Sequence, residues 1–372
     1  MEMKKVCLLN GNLILRKKKT GVHLFHENVT KGLLSRKREY KIVSACFDFK
    51  GVCRKRISEK ENQWMRPVLI ISRLPKIFAY IIPIELFFGK NDVYICDGLY
   101  PHTIYKSAKK ICIVHDLMVR IYPENYSVIR RIYLNMYYRS LKKADYVACV
   151  SENTKKDIIR FYGIDESKIK VIKCSYVESK SQKKCPDSRL IDGNRPFVFY
   201  IGDMRPNKNL KNTMMGFMDF CKKNPSEPVR MYLAGSWNKN YPSLKKFAEE
   251  RGFGDRIIFL GYISDNDKSY LYRHGKAVLL VSEYEGFGIP IIEGFRYGIP
   301  VVTGSCSSMK ELGEGAAVLA DPYDISSISR GIEKAYFKEY GFDKKLAEKR
   351  AEEYSFPNVV RLTDEVIKEA LK

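Results

Sequence analysis

Two glutamates, Glu285 and Glu293, flank a glycine-containing turn. Glu285 is predicted to lie on a loop at the carboxyl end of a strand, where open α/β sheets bind their ligands. Glu293 is predicted to lie in the first turn of the following helix. On one continuous helix, residues eight apart would differ by about 80° around the axis, but glycines interrupt that helix, so both carboxylates can converge on one ligand. Alternatively, Glu285 is a solvated loop residue and Glu293 complements the helix dipole.

The elements around these glutamates can be predicted from the same stretch. Residues 278–281 form a continuous apolar run typical of a parallel strand that is covered on both faces, and a second run begins at 300. Gly286 and Gly288 allow a tight turn close to a ligand, and Pro290 suits a first helical position. The helix is therefore predicted to begin near Ile289. The free N–H groups around Gly288 and Ile289 predict an anion site.

The sequence EGFGIPIIE, followed by GIPVV, resembles the signature of the retaining GT-B glycosyltransferases of family 4, in which seven residues separate two glutamates. The resemblance implies that Glu285 contacts the donor sugar and that Glu293 binds the nucleotide ribose. It also implies that the turn between them, from Gly286 through Phe287 and Gly288 to Ile289, contacts the donor.

A second cluster of candidate residues follows the predicted strand 197–201. Gly202 opens a loop that contains Arg205 and Lys208, and two cations at a strand's carboxyl end can neutralise a diphosphate. In a chain this basic, however, two cations on one loop are weak support. The loop resembles the donor-phosphate loop of the family, although this chain has Asn207 where many members have arginine.

Two further loops of the second half also resemble loops of the family. Gly235-Ser236 and Gly261-Tyr262 each follow a predicted strand, and the resemblance implies that they lie near the sugar and the nucleobase. Tyr262 is therefore included among the candidate donor-binding residues, with contacts expected mainly from the backbone.

The first half of the chain contributes two candidates. His115 follows the apolar run 111–114, and a histidine just beyond a buried strand can donate to a sugar hydroxyl or accept a proton. A structural role is the alternative, but ICIVHDL resembles the corresponding stretch of the family, which implies an active-site histidine. Gly21 precedes a helical pattern and is predicted to lie in an acceptor-side loop, or else in a plain strand-to-helix turn.

Alternating strand and helix patterns in both halves predict an α/β fold, and the resemblance implies GT-B: two Rossmann-like doubly wound domains facing a cleft. The predicted boundaries are 1–177 for an N-terminal acceptor-side domain, 178–195 for a linker and 196–345 for a nucleotide-sugar-binding domain. Residues 346–372 are predicted to form terminal helices that return toward the first domain.

Composition limits the partners and the compartment. The 66 Lys and Arg against 43 Asp and Glu give a net charge of +23, which favours phosphate-rich partners such as an anionic membrane surface. The ten cysteines are scattered and include no CxxC pair, which favours reduced thiols. Without a signal peptide or transmembrane pattern, the chain is expected in the cytoplasm, with the apolar segment 77–88 as a candidate for peripheral membrane contact.

The sequence therefore predicts a retaining, metal-independent glycosyltransferase that uses a nucleotide-sugar donor, with GDP-mannose favoured by the resemblance. The acceptor is expected to be a glycan or a lipid-linked sugar in surface polysaccharide biosynthesis. No cofactor, metal or nucleic-acid partner is expected. The alternatives are a nonhydrolysing sugar-nucleotide epimerase and a basic nucleic-acid-binding protein, although tyrosines do not concentrate beside the lysine clusters as the latter requires.

Overall fold

The structure is a computed structural model that describes residues 4–9, 21–35, 40–44, 90–97, 103–176, 190, 195–236, 240–339 and 341–372. The chain forms two compact units. Unit 1 comprises the chain up to Ser175 together with Phe356–Lys372, and unit 2 comprises Tyr176–Ser355.

Unit 1 contains a six-stranded parallel sheet with strand order β2-β1-β3-β4-β5-β6. The order reverses at β1, so the neighbouring ends of β1 and β3 form a topological switch point, where such sheets bind ligands. Apolar runs on these strands are buried because helices cover both faces of a parallel sheet. The strands are β1 (Lys4–Leu9), β2 (Tyr40–Ser44), β3 (Val93–Asp97), β4 (Lys109–Val114), β5 (Tyr146–Cys149) and β6 (Ile169–Val171).

The described helices of unit 1 are α1 (Gly21–Ser35), α2 (Met118–Ile121), α3 (Val128–Ser140), α4 (Glu152–Tyr162) and the C-terminal helix Phe356–Ala370. The C-terminal helix is tied to this unit by polar contacts as well as by packing. The Tyr40 hydroxyl donates to Asp364 Oδ1 at 2.8 Å, and Lys170 Nζ donates to Glu369 Oε1 at 2.8 Å. The end of the chain therefore belongs to the same compact unit as its beginning.

Unit 2 contains a second six-stranded parallel sheet, with strand order β12-β11-β10-β7-β8-β9. Numbered within the unit, this is the 3-2-1-4-5-6 order of dinucleotide-binding folds, and its switch point lies between β7 and β10. The strands are β7 (Phe197–Ile201), β8 (Arg230–Ala234), β9 (Ile257–Gly261), β10 (Ala277–Leu280), β11 (Val301–Gly304) and β12 (Val318–Ala320). Two parallel sheets, one in each unit, confirm the predicted doubly wound α/β class.

The described helices of unit 2 alternate with its strands. They are α5 (Leu210–Lys223), α6 (Tyr241–Glu249), α7 (Asp265–His274), α8 (Ile289–Arg296), α9 (Ser307–Gly313), α10 (Ile325–Phe337) and α11 (Lys344–Glu352), and the C-terminal helix of unit 1 is α12. The segment 346–372, predicted to form the returning terminal helices, includes most of α11. In the structure α11 packs against α8 in unit 2, and the segment assigned to unit 1 begins at Phe356.

Three features bear on compartment and membrane contact. Every cysteine in the described ranges is a free thiol. Among the helices that the structure describes, none is both long enough and apolar enough to cross a bilayer. The apolar segment 77–88 and nearly all of the predicted linker 178–195 lie outside the described residues.

Candidate active site

Glu285 and Lys208 meet at the switch point of unit 2. Lys208 Nζ donates to Glu285 Oε1 at 2.7 Å and to Oε2 at 2.8 Å, and both side chains are only 11% exposed. The Ser282 hydroxyl adds a third hydrogen bond to Oε1 at 2.7 Å. The partners are 77 positions apart, and they meet because β7 and β10 are adjacent parallel strands whose carboxyl ends share one edge of the sheet. Glu285 is therefore a buried, cation-paired carboxylate rather than a solvated loop residue.

The loop that carries Glu285 is held in place through its backbone. The Ser308 hydroxyl lies 2.9 Å from the carbonyl oxygen of Glu285 and 2.6 Å from that of Phe287, so its one hydrogen is shared between them or donated to one of them. The Glu285 N–H donates to Ser307 Oγ at 3.1 Å. Both serines belong to α9, which follows β11. The two serines therefore fix the neighbouring loop rather than cap α9, whose N-cap residue is Cys306.

Glu293 is buried deeper than Glu285 and has a different cationic partner. Lys268 Nζ donates to Glu293 Oε1, and the Tyr272 hydroxyl donates to Oε2 at 2.8 Å. Lys268 and Tyr272 lie on α7, which follows β9, and sequence reasoning missed both. Their spacing of four on one helix face was the available signal, but it did not identify Glu293 as the partner.

Helix α8 begins at Ile289, as predicted, while Glu293 is its fifth residue rather than part of the first turn. The turn before it depends on Gly288, whose φ of +116° L side chains rarely adopt. A Cβ at this position would also lie 2.9 Å from Ile291 Cδ1. The N-cap residue, Gly288, has no side chain that could bond to the first N–H groups of the helix. The backbone at Gly288 and Ile289 therefore retains the character of an anion-binding helix start.

Phe287 lies within the same turn but its ring has a packing partner. It is buried against Tyr354, with ring centroids 5.7 Å apart. Gly286, by contrast, is only partly buried. Phe287 could therefore contact the sugar-nucleotide donor only through its backbone, because its side chain is packed in the hydrophobic interior of unit 2.

The phosphate-loop candidates have distinct environments. Arg205 Nε donates to Asp203 Oδ2 at 2.8 Å, and this pair is half exposed. Although burial opposes the shift, Lys208 and Arg205 together lower the pKa of Asp203. Asn207 is buried and donates to the carbonyl of Tyr284 at 3.2 Å. Asn207, which stands where many members of the family have arginine, therefore links the loop after β7 to the loop after β10.

Backbone proximity explains two of the glycines beside β7 and β8. A Cβ on Gly235 would lie 1.6 Å from the carbonyl oxygen of Gly202, and the φ of Gly235 is +154°. The Gly235 N–H also donates to the carbonyl of Gly261 at 2.8 Å. Tyr262 follows that glycine and its side chain is 55% exposed. The loops that follow β7, β8 and β9 are thus in contact through their backbones, and the exposed ring of Tyr262 belongs to the third of them.

His115 lies at the switch-point edge of unit 1 and belongs to a compact cluster. His26 Nε2 lies 3.0 Å from His115 Nε2 and 3.1 Å from Asp97 Oδ2, while His115 Nε2 lies 3.8 Å from Asp97 Oδ1. We call His26, Asp97 and His115 the histidine cluster. Asp97 ends β3, His115 follows β4, and His26 lies on α1 together with Gly21, which is its first residue.

Burial lowers the pKa of His115 to about 4; the His26 and His23 rings act in the same direction, and Asp97 opposes them. His115 is therefore neutral near pH 7. A proton on His26 Nε2 can be shared between Asp97 Oδ2 and His115 Nε2, which satisfies both short contacts. In that arrangement the proton of His115 lies on Nδ1, so Nδ1 is the nitrogen that can donate to a ligand.

The histidine cluster is also the group of described residues with metal-ligand chemistry, because its three ligand atoms lie within 4.8 Å of one another. A transition metal would need both Nε2 atoms deprotonated. The distances of 3.0 and 3.1 Å are those of hydrogen bonds. That the protein binds no metal stays a prediction.

Two protein-family models match most of the chain. Residues 181–354 match the family described as glycosyl transferases group 1, and residues 21–176 match glycosyltransferase family 4. The chain is 28% identical over 253 residues to O-antigen chain mannosyltransferase B of Escherichia coli, covering 65% of each chain. It is 24% identical over 327 residues to the serotype-specific mannosyltransferase WbdA of Escherichia coli, covering 82% of this chain and 38% of that one. The chain thus spans less than two thirds of the length of either relative.

Among solved structures, a sucrose-phosphate synthase from Thermosynechococcus elongatus superimposes with a TM-score of 0.75 at 14% identity, covering 98% of both chains. At that identity the likeness establishes the fold alone.

Proposed function

Because this chain belongs to the group 1, family 4 glycosyltransferases of the GT-B fold, we propose that it transfers a sugar from a nucleotide-diphosphate donor to a glycan or lipid-linked acceptor. The observation that carries the proposal is the pair of buried glutamates in unit 2, each bonded to a lysine: Glu285 to Lys208 from the loop after β7, and Glu293 to Lys268 from α7. Such an arrangement offers acceptors for sugar hydroxyls and cations for phosphate at one edge of the sheet.

We assign Glu293 to the ribose and Glu285 to the donor sugar. The diphosphate would be bound by Lys208 and Arg205 and by the N-terminus of α8, beginning at Ile289. These groups stabilise the negative charge that develops on the departing diphosphate, where preorganised donors lower the barrier most. Because Lys208 is bonded to Glu285, donor binding has to draw the ammonium toward the phosphate and release the carboxylate for the sugar.

Retention of configuration and independence of metal are parts of the same proposal. Retention would follow from front-face attack assisted by the leaving phosphate, so Glu285 need not act as a nucleophile. Two cationic side chains and a helix N-terminus can take the place of a metal at the diphosphate. No cofactor beyond the donor is required.

For unit 1 we propose that it serves the acceptor. His115, neutral at working pH, would donate through Nδ1 to a sugar hydroxyl, and its Nε2 is held by the rest of the histidine cluster. Gly21 begins the helix that carries His26. The acceptor side thus presents a hydrogen-bond donor of fixed tautomer rather than a strong base.

Mannose is the proposed sugar and GDP the proposed nucleotide, in the synthesis of a surface polysaccharide. The support is that one relative described above is named an O-antigen chain mannosyltransferase and the other a serotype-specific mannosyltransferase. We propose that the protein works in the cytoplasm and contacts the inner face of the membrane peripherally, where it would reach lipid-linked acceptors.

The first test is a thermal-shift screen against the UDP, GDP, dTDP and ADP sugars, since a ligand that binds only the folded state raises the melting temperature. GDP-mannose is expected to give the largest shift. Turnover of that donor with a lipid-linked glycan acceptor should release GDP, and the new anomeric signal in NMR should have the configuration of the donor. Donor isomerisation in the absence of acceptor would show an epimerase and refute the proposal.

A further inference from the structure

Helix α3 has an apolar stripe on its exposed side. Four large aliphatic side chains are between 48% and 82% exposed: Val128, Ile129, Ile132 and Met136. At about 100° per residue they fall within one arc of about 100° around the helix axis. A contiguous exposed stripe of this kind on a soluble domain marks an interaction surface.

The stripe faces outward because the opposite side of α3 is firmly fixed. Tyr137 and Tyr138 are buried in the core of unit 1, with Leu134 packed against it. The Tyr137 hydroxyl donates to the carbonyl of Ile113 and the Tyr138 hydroxyl to that of Asp116, both at 2.9 Å. Turning the helix to bury the aliphatic side chains would break both hydrogen bonds. The exposure is therefore a consequence of the fold.

Basic residues lie within and just beyond the stripe: at about 100° per residue Arg139 falls inside its arc, and Lys142 and Lys143 follow the end of α3. Between Tyr126 and Lys143 the chain has no Asp or Glu and has five basic residues, namely Arg130, Arg131, Arg139, Lys142 and Lys143. All of these except the half-buried Arg131 are exposed. An aliphatic stripe with basic neighbours, in a stretch of chain that contains no acid, complements a surface that is apolar inside and anionic outside. A second copy of this chain would bring like charges together, which disfavours it as the occupant.

We propose that the exposed face of α3 docks on an anionic lipid bilayer, with the four aliphatic side chains at the boundary between headgroups and acyl chains. Arg139, Lys142 and Lys143 contact the lipid phosphates. Amphipathic helices of this composition lie in the plane of the interface. The inference deepens the proposed membrane contact by placing it on α3 rather than on the segment 77–88, and it stands on surface chemistry whichever sugar is transferred.

The test is co-sedimentation of the full chain with phosphatidylcholine vesicles that contain phosphatidylglycerol, compared with phosphatidylcholine alone. The double variant Ile129→Gln/Ile132→Gln should lower the partition coefficient at least tenfold. Leu346→Gln, which changes an exposed aliphatic residue on α11 of unit 2, is the matched control and should bind as the wild type does. Both variants should keep the wild-type melting temperature and the wild-type affinity for free nucleotide.

The double variant Arg139→Gln/Lys142→Gln tests the electrostatic part. It should also weaken binding to anionic vesicles, and its binding should fall less steeply as salt is raised, because fewer cations contribute to the attraction.

Equal pelleting of the wild type and Ile129→Gln/Ile132→Gln, or no pelleting of the wild type on anionic vesicles at low salt, would overturn the proposal. Sedimentation velocity without vesicles tests the alternative occupant, a second copy of this chain. A dimer that Ile129→Gln/Ile132→Gln abolishes would assign the face to self-association instead. Since vesicle binding needs no donor, a failure here is distinguishable from a failure of the proposed transfer activity.

Discussion

The bond between Lys208 and Glu285 gives the sharpest prediction. Both side chains are 11% exposed and are joined by two hydrogen bonds of 2.7 and 2.8 Å. Lys208→Met would leave a buried carboxylate without its cation, and breaking a buried pair in this way costs about 3 to 5 kcal/mol. For a unit of this size, each kcal/mol lowers the melting temperature by about 2 to 4 °C. Lys208→Met should therefore melt about 6 to 20 °C below the wild type.

The double variant Lys208→Met/Glu285→Gln should recover much of that loss. Removing both charges leaves no unpaired ion, and residues in contact typically couple by up to about 3 kcal/mol. We expect a coupling of about 2 kcal/mol or more from calorimetric melting of the wild type, the two single variants and the double variant. Additive effects, or a Lys208→Met variant that melts with the wild type, would refute the buried-pair reasoning.

A matched control is available on α6 of the same unit. Lys245 and Glu249 also form a lysine–glutamate pair, but at 3.7 Å and with both side chains about half exposed. Exposed pairs of this kind contribute about 0.3 to 0.5 kcal/mol. The cycle of Lys245→Met and Glu249→Gln should therefore show almost no coupling, which separates burial from the mere presence of opposite charges.

The same variants separate binding from stability. Lys208→Met should weaken GDP binding by about 2 to 5 kcal/mol if the ammonium contacts a desolvated diphosphate. Glu285→Gln should preserve GDP affinity or raise it, because the ammonium is then no longer held by a carboxylate, while turnover falls. Isothermal calorimetry with GDP measures both. Loss of GDP affinity in Glu285→Gln equal to that in Lys208→Met would contradict the proposed division of roles.

Four further predictions follow from the geometry. Glu293→Gln should weaken binding of both GDP and GDP-mannose in calorimetry, because the ribose would lose its acceptor; equal affinity to the wild type would exclude that role. Burial lowers the pKa of His115 from 6.5 to about 4, so the unfolded chain takes up the proton first, and about 3 kcal/mol of stability is lost as pH falls from 6.5 to 4. The pH dependence of melting should therefore be shallower in His115→Gln, and identical slopes would reject this assignment. EDTA should leave turnover unchanged and metal analysis of the purified chain should find no stoichiometric zinc; a 1:1 content lost in a His26→Phe variant would instead make the histidine cluster a metal site. Gly235→Ala should fail to fold stably or to bind GDP, since its Cβ would lie 1.6 Å from the Gly202 carbonyl oxygen, and wild-type melting would show that these loops are looser than described.

The sequence alone determined the local elements of this protein. Continuous apolar runs such as 278–281 predict strands that are covered on both faces, because only a parallel sheet buried under helices tolerates them. Glycine and proline around Ile289 located a helix start that the structure reproduces, since their conformational limits act within a few residues. The doubly wound class followed from the alternation of these elements.

Only the tertiary structure decided which charges meet. Lys208 is 77 positions from Glu285, and His26 is 89 from His115. The order of strands within a sheet sets such pairings, and strand order depends on non-local packing that no window of sequence contains. The outward stripe of α3 has the same origin: the helix carries apolar residues on both sides, and the tyrosine hydroxyls that bond to the backbone at Ile113 and Asp116 select the face that is buried.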